Sequence, residues 1–201
     1  MKKSVIKFYR SRDVKLPSRA YKSDAGMDFF IPKFDKKFVK DLLELNPHLK
    51  SNQITNDNQN GFVIITCNYN DNSSFIKFDE EEGKNYFILF PHSRVNIPSG
   101  IYCKMEEEGR ALIAANKSGI ASKYGIIFGA QVVDYQYQGE IHINLINVSS
   151  NMVKIYEDQK IIQFIETPVF TSDIKEVEDM KDLYESISER SNGGFGSTDK
   201  K

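Results

Sequence analysis

Much is missing from this sequence, and each absence closes a class of function. No apolar run approaches the length of a membrane span, so no membrane partner is expected. The two cysteines, Cys67 and Cys103, show neither metal-ligand spacing nor a disulfide framework. A reducing setting, cytoplasmic or nuclear, is the resulting expectation. His48, His92 and His142 have no metal-like spacing either. A net charge of −1 leaves no electrostatic footprint for nucleic acid, which is not expected as a partner. It does not exclude an anionic small ligand, because local geometry can override net charge. The basic start, MKKSVIKFYRSRD, lacks a long apolar core and is not read as a signal peptide. Only six of the 27 basic residues are Arg, a usage that hints at an AT-rich genome. For a viral source the setting would be the host cell cytoplasm.

What is present is β structure. A chain of 201 residues, 40% hydrophobic and 27% charged, suits one soluble domain. At that length it buries roughly two thirds of its unfolded surface without staples. VIKFY, GMDFFI, GFVIITCNY, SFIKFD, YFILF, GIYCKM, RALIAA, EIHINLINV and IIQFIETPVF are short and rich in β-branched and aromatic residues. Turn signals separate them, so the spacing predicts an all-β sandwich or barrel. Residues 35–49 differ: Phe38, Leu42 and Leu45 recur at helical spacing, Asp35 suits an N-cap and Pro47 marks an end. The polar run 51–61 and the acidic run 79–83 read as loops. The charged stretch 171–188 reads as an arm leading to a glycine-rich end.

Five segments carry candidate chemistry. SDAGMDFF places Gly26 and Asp28 at the start of a strand. NKSGIASKYGI reads as a loop of small residues, where Lys117, Ser118 and Gly119 offer a charge, a hydroxyl and a backbone N–H to an anion. GAQVVDYQYQGEIHINL reads as a β-hairpin with Asp134 at its tip, where it could act as a base on water. In KIIQFI, Gln163 sits among isoleucines and needs a partner. RSNGGFGST joins Arg190, glycines, Phe195, Ser197 and Thr198. It lacks the Gly-Lys-Ser/Thr ending of a Walker loop. Its glycines, including Gly194, let backbone N–H groups approach phosphate, and Phe195 offers a face to a base. Each segment also has a plain reading as a turn, a loop or a linker.

In this order the five segments resemble the five motifs of the trimeric deoxyuridine triphosphatases (dUTPases). The resemblance covers roughly residues 1–32 and 86–199, including FPHSRVNIPSGIYCKM. It implies a jelly-roll-type β-barrel assembled as a homotrimer with shared active sites. It also implies Mg²⁺-dependent hydrolysis of dUTP to dUMP and pyrophosphate, which limits uracil in DNA and supplies dUMP. Asp134 would activate the attacking water. Gly129, Ala130, Gln131, Val132 and Val133 would hold uracil, and Tyr137 would pack beneath the deoxyribose. Lys117, Ser118, Gly119 and Gln163 would contact phosphates, while Asp28 would support the metal through water. The tail would close over the site of a neighbouring subunit. Phe195 would then stack on uracil, and Arg190, Gly194, Ser197 and Thr198 would reach the phosphates.

The sequence departs from the family pattern at several positions. Lys117 stands where Arg is usual, Gln131 where Gly is usual and Gln136 where Asp or Gly is usual. Asp158 and Gln159 replace Gly-Asp, and Ser191 replaces a Gly. The largest departure is an insertion at about 33–85. The expected organisation is a single domain over 1–201, with that helix-containing insertion and a C-terminal arm and lid at about 171–201. The insertion offers either extra packing surface or a lobe for an unidentified partner. Two other readings stay open. One is a dCTP deaminase of the same fold, with Glu140 working on cytosine. The other is a regulatory binding protein acting through the insertion.

Overall fold

Alternation along the strands builds one shared core. In HINLIN, Ile143, Leu145 and Asn147 face inward while the residues between them face out. The computed structural model describes residues 4–47, 49, 51–56, 63–67, 76–184, 186–188 and 191, with 51–56, 63–67 and 76–79 described as backbone. The chain runs through β1 (Ile6–Arg10), β2 (Gly26–Phe30), α1 (Lys36–Leu45), β3 (Ser51–Asn56), β4 (Val63–Cys67), β5 (Ile76–Glu81), β6 (Lys84–Leu89) and β7 (Arg94–Pro98). It continues through β8 (Ile101–Met105), β9 (Arg110–Asn116), α2 (Ser118–Tyr124), β10 (Ile126–Phe128), β11 (Val132–Asp134), β12 (His142–Asn147), β13 (Val153–Tyr156) and β14 (Lys160–Pro168). Among the described residues no helix is long and apolar enough to cross a membrane.

The ladders are antiparallel and mostly join strands distant in sequence. One sheet has the order β11-β9-β14-β2 and another β10-β12-β7. β13-β6-β5, β1-β8 and β3-β4 complete the set. This crossing connectivity is that of a jelly-roll-type barrel, with Phe29, Phe87, Leu112, Ile143, Leu145 and Phe164 among the side chains at its centre.

α1 forms where the spacing predicts it. The Asp35 carboxylate accepts from Phe38 N at 2.7 Å, and Phe38 and Leu42 are buried. The helix stops before Pro47, as a proline requires of its predecessor. Asn46 then clips α1 to the barrel. Its Nδ2 donates to Asn96 O at 2.7 Å, and its Oδ1 accepts from Asn96 N at 2.8 Å. One side-chain amide thus serves β7 as a strand neighbour would.

Four local expectations change. Ser51–Asn56, expected as loop, is a strand paired with β4, because cross-strand pairing outweighs weak local preference. The acidic run closes the β5–β6 hairpin, with Glu81 opposite Lys84. Its two turn residues, Glu82 and Gly83, both have positive φ, as the tightest hairpin turns demand. The segment after Lys117 is the helix α2 rather than a loop; it has no buried residue, so no apolar periodicity marks it. Finally, β11 and β12 do not pair as the hairpin expected over residues 129–145 with Asp134 at its tip. β10 joins β12 and β11 joins β9, so the chain between β10 and β11 crosses from one sheet to another.

The chain divides into two compact units, Met1–Val169 and Phe170–Lys201. The second carries a 3₁₀ turn, Met180–Asp182, capped by Asp179. Phe170, Ile174, Met180, Leu183, Tyr184 and Ile187 are all exposed along it.

Candidate functional site

The sheet order sets Asp28 and Gln163 side by side. β14 lies between β2 and β9, with Gln163 opposite Asp28 on one flank and Ala115 on the other. Gln163 has the partner its apolar setting demands: Nε2 donates to Asn116 O at 3.0 Å. Gly26 makes this arrangement fit, since a Cβ there would collide with the Gln163 amide. Asp28 is 6% exposed and bound by two cations. Lys117 pairs with Oδ1, and Lys160 lies 2.9 Å from Oδ2. Burial opposes ionisation of Asp28, but hydrogen bonds and charge from Lys117 and Lys160 prevail and hold its carboxyl below the ordinary value.

Beside this group opens a concavity of about 390 Å³ lined by Lys117, Ser118, Gly119, Lys123, Tyr124 and Gln163. Lys117 is the N-cap of α2, so the N–H groups of Ser118 and Gly119 fall in the first turn, without intrahelical acceptors. No atom beyond its chain neighbours crowds Gly119, so its backbone can be approached closely. Two lysines, a hydroxyl and free amides make this a place for an anion. Lys123 and Lys160 were not among the residues expected here. Lys123 does lie within NKSGIASKYGI, one turn after Gly119, and a helical reading of that segment finds it.

The second group lies on the crossing between β10 and β11. Gly129 N donates to Asn144 O at 3.3 Å, and Gln131 O accepts from Ala114 N at 2.7 Å. Val133 is buried, while Ala130, Gln131, Val132 and Asp134 are exposed. Gln131 therefore adopts the crossing with its backbone engaged, although glycine is usual there. Asp134 ends β11 rather than tipping a hairpin, and its carbonyl accepts from Tyr137 N at 3.1 Å. Among the described residues no hydrogen bond or ion pair engages its carboxylate. Tyr137 OH donates to Glu140 O at 2.9 Å, and the ring folds back over Gly139 so closely that no Cβ fits. The Glu140 carboxylate is itself occupied: Oε1 accepts from Gly100 N at 2.6 Å and faces Arg12.

These two groups are not brought together within one chain. Asp134 is opposite Ala111 at one end of β9, whereas Lys117 follows Asn116 at the other. Five strand residues at about 3.3 Å each separate them by roughly 17 Å along the sheet. Gln163 also lies on the far flank of β9 from Asp134. The expected tail residues Arg190, Gly194, Phe195, Ser197 and Thr198 lie outside the described residues. Ser191, next after Arg190, has φ of 44°, a left-handed conformation that suits the glycine usual there. Asp158 is likewise left-handed at φ 60°, where the family pattern has Gly.

For a divalent metal, the donor set offers no resident cage. Among the described residues no three His, Cys, Asp or Glu side chains gather. Both oxygens of Asp28 face lysines. A Mg²⁺ here would have to be held mainly by the phosphates of a ligand rather than by these side chains.

Residues 83–199 match the dUTPase family. Among curated relatives, the deoxyuridine 5'-triphosphate nucleotidohydrolase of Azoarcus sp. is 31% identical over 115 residues, covering 56% of this chain and 74% of that protein. The Candida albicans protein of the same name is 41% identical over 86 residues, covering 43% and 52%. Among solved structures, a mutant Staphylococcus bacteriophage 80alpha dUTPase with dUpNHpp superposes with a TM-score of 0.58 at 18% identity, covering 96% of this chain and 98% of that one. A mutant dUTPase from phage phi11 of S. aureus, described with a coordinated structural Mg(II) ion, gives 0.53 at 17% identity, covering 88% and 99%. The structural likeness is one of fold. It covers 96% of the chain, whereas the family match begins at residue 83.

Proposed function

Because the chain belongs to the dUTPase family and is a dUTP diphosphatase, we propose that it cleaves dUTP by water attack at the α-phosphorus, with Asp134 as the activating base. The observation that carries this reading is the unengaged Asp134 carboxylate, exposed beside Tyr137 and the Gly129–Val133 crossing. Water attacks the α-phosphorus, its proton passes to Asp134, and the bond to the bridging oxygen breaks to release pyrophosphate. Exposed backbone at Ala130, Gln131 and Val132 would read uracil, and Tyr137 would pack under the sugar. Lys117, Ser118, Gly119 and Gln163 would hold the phosphates at the other end of the substrate. Mg²⁺ on the triphosphate would offset the negative charge that builds on the leaving group, supported by Asp28 through water.

The roughly 17 Å between the two groups exceeds what one triphosphate spans, so each site would draw on more than one chain. That supports a homotrimer with shared sites, in which Arg190, Gly194, Phe195, Ser197 and Thr198 close over the bound nucleotide. Phe195→Ala should then leave assembly and thermal unfolding unchanged while lowering kcat/KM roughly tenfold to a hundredfold, about what loss of one stacked base costs. Sedimentation and steady-state kinetics measure both.

The engagement of Glu140 by Gly100 and Arg12 counts against a deaminase, whose glutamate would have to reach a cytosine ring. Incubation with Mg²⁺ and dUTP, dCTP, dTTP or UTP tests the reading. Pyrophosphate from dUTP alone is expected. Ammonia from dCTP, or a folded protein that leaves dUTP intact, would sink it.

A further inference from the structure

One buried charge has no role in this scheme. Arg12, between β1 and β2, has 2% of its side chain exposed. Its Nη2 donates to Asp41 Oδ2 at 2.8 Å and reaches Glu140 Oε1 at 3.4 Å. Among the described residues its Nε and Nη1, both buried, have no hydrogen-bond partner. The whole guanidinium therefore depends on two carboxylates, and a buried charge that loses such a partner is strongly disfavoured. Its stem crosses Gly100, where a Cβ would strike it, and its head covers the Phe38 ring at 5.9 Å.

The two carboxylates belong to different parts of the molecule. Asp41 is on α1, in the insertion, and Lys37 Nζ also donates to it at 2.7 Å. Burial opposes its charge, but hydrogen bonds from Lys37 and Arg12 hold its carboxyl below the ordinary range, so it stays ionised at neutral pH. Glu140 is in the segment that carries Tyr137, and its carbonyl holds the Tyr137 hydroxyl. Its carboxylate is shared between Arg12 and Gly100 N. A continuous path of contacts thus runs from α1 through Arg12 and Glu140 to Tyr137. The Asn46 clip to Asn96 keeps α1 in place on the barrel.

We propose that Arg12 is a positioning residue for the nucleoside pocket, and that the insertion, through Asp41, helps to set the height of Tyr137 under the sugar. Asp41 draws the guanidinium away from Glu140, leaving the longer of its two contacts there and a short bond from Gly100 N. Without the Asp41 charge, Arg12 swings fully onto Glu140. The Gly100 bond loosens, and the Glu140 carbonyl shifts with its side chain. Tyr137 then loses the fixed position by which it would exclude a 2′-hydroxyl. The inference rests on Tyr137 being the sugar contact.

The test compares Asp41→Asn with wild type on dUTP and UTP, below the unfolding temperature of both. KM for dUTP should rise roughly fivefold to tenfold with kcat within about twofold, and the preference for dUTP over UTP should fall roughly fivefold. Asp41→Glu, which keeps the charge, should recover most of both. If Asp41→Asn does not fold, Arg12→Lys replaces it, because it keeps a cation but cannot span two carboxylates. A folded variant with unchanged KM and unchanged preference overturns the proposal. Tyr137→Ala separates the layers: if it leaves the dUTP/UTP preference intact, the sugar-contact reading itself has failed.

Discussion

The two ends of β9 are built by opposite means. At the Asn116 end, charge is abundant and already compensated. Asp28 sits between Lys117 and Lys160, Gln163 is tied to backbone, and the concavity beside them carries a further lysine. At the Ala111 end, backbone hydrogen bonds and close glycine contacts set the shape around Asp134, whose carboxylate is left unengaged among the described residues, while Glu107 and Glu166 pair with Arg110. A site that must hold a polyanion gains from cations fixed in advance by a buried carboxylate. A site that must move a proton gains from a carboxylate with no competing partner. In the proposed scheme one end holds the substrate and the other carries the chemistry.

Substitutions at each end should keep the two effects apart. The largest effect is expected from Asp134→Asn, which removes the base and leaves the lysine array untouched. It should lower kcat by roughly a thousandfold with KM changed less than about threefold. Pyrophosphate release under saturating dUTP measures it, and a comparable loss in KM would erase the division. Gly26→Ala probes the other end. Its Cβ would displace Gln163 from Asn116, costing about 1–3 kcal/mol of stability and raising KM while kcat holds. Thermal unfolding and steady-state kinetics report on the two halves of that statement.

Asp28→Asn should have the smallest effect, seen mainly in stability. Folding lowers the pKa of Asp28, so its contribution is complete above the ordinary carboxylate range and drains away as pH falls through the folded value. Wild type should be more stable than the variant at neutral pH, by about 1–2 kcal/mol, and the gap should begin to narrow below about pH 4 and close only below the lowered folded value. A gap that persists in acid would mean that packing, not the lysine pairs, accounts for it.

Much of this contrast was legible from residues, but not its geometry. Alternation in HINLIN and the Asp35 cap ahead of Phe38 and Leu42 marked their elements, because burial leaves a period in the sequence. Gln163 stood out as a polar residue in an apolar strand. α2 left no such trace, since it buries nothing. Nor did β3, whose polar residues form a strand only because β4 pairs with them. The split of β10 and β11 between two sheets depends on register with distant strands, which no local pattern encodes. The distance between Asp134 and Lys117 follows from that register alone. Arg12 and Glu140 are 128 positions apart, and nothing near either announces the other.

The place of β2 in its sheet has a consequence for synthesis. All five of its residues are buried, and among the described residues its only strand neighbour is β14, made more than a hundred residues later. At about 5–20 residues per second, a ribosome leaves GMDFF without that neighbour for roughly 7–30 s. Residues 33–85 lie within that interval. Asp28 spends the same time without Lys117 at first, and without Lys160 almost to the end. Nascent chains arrested before β14 should accordingly be the most aggregation-prone, and the phosphate-side array should be among the last parts of the molecule to become native.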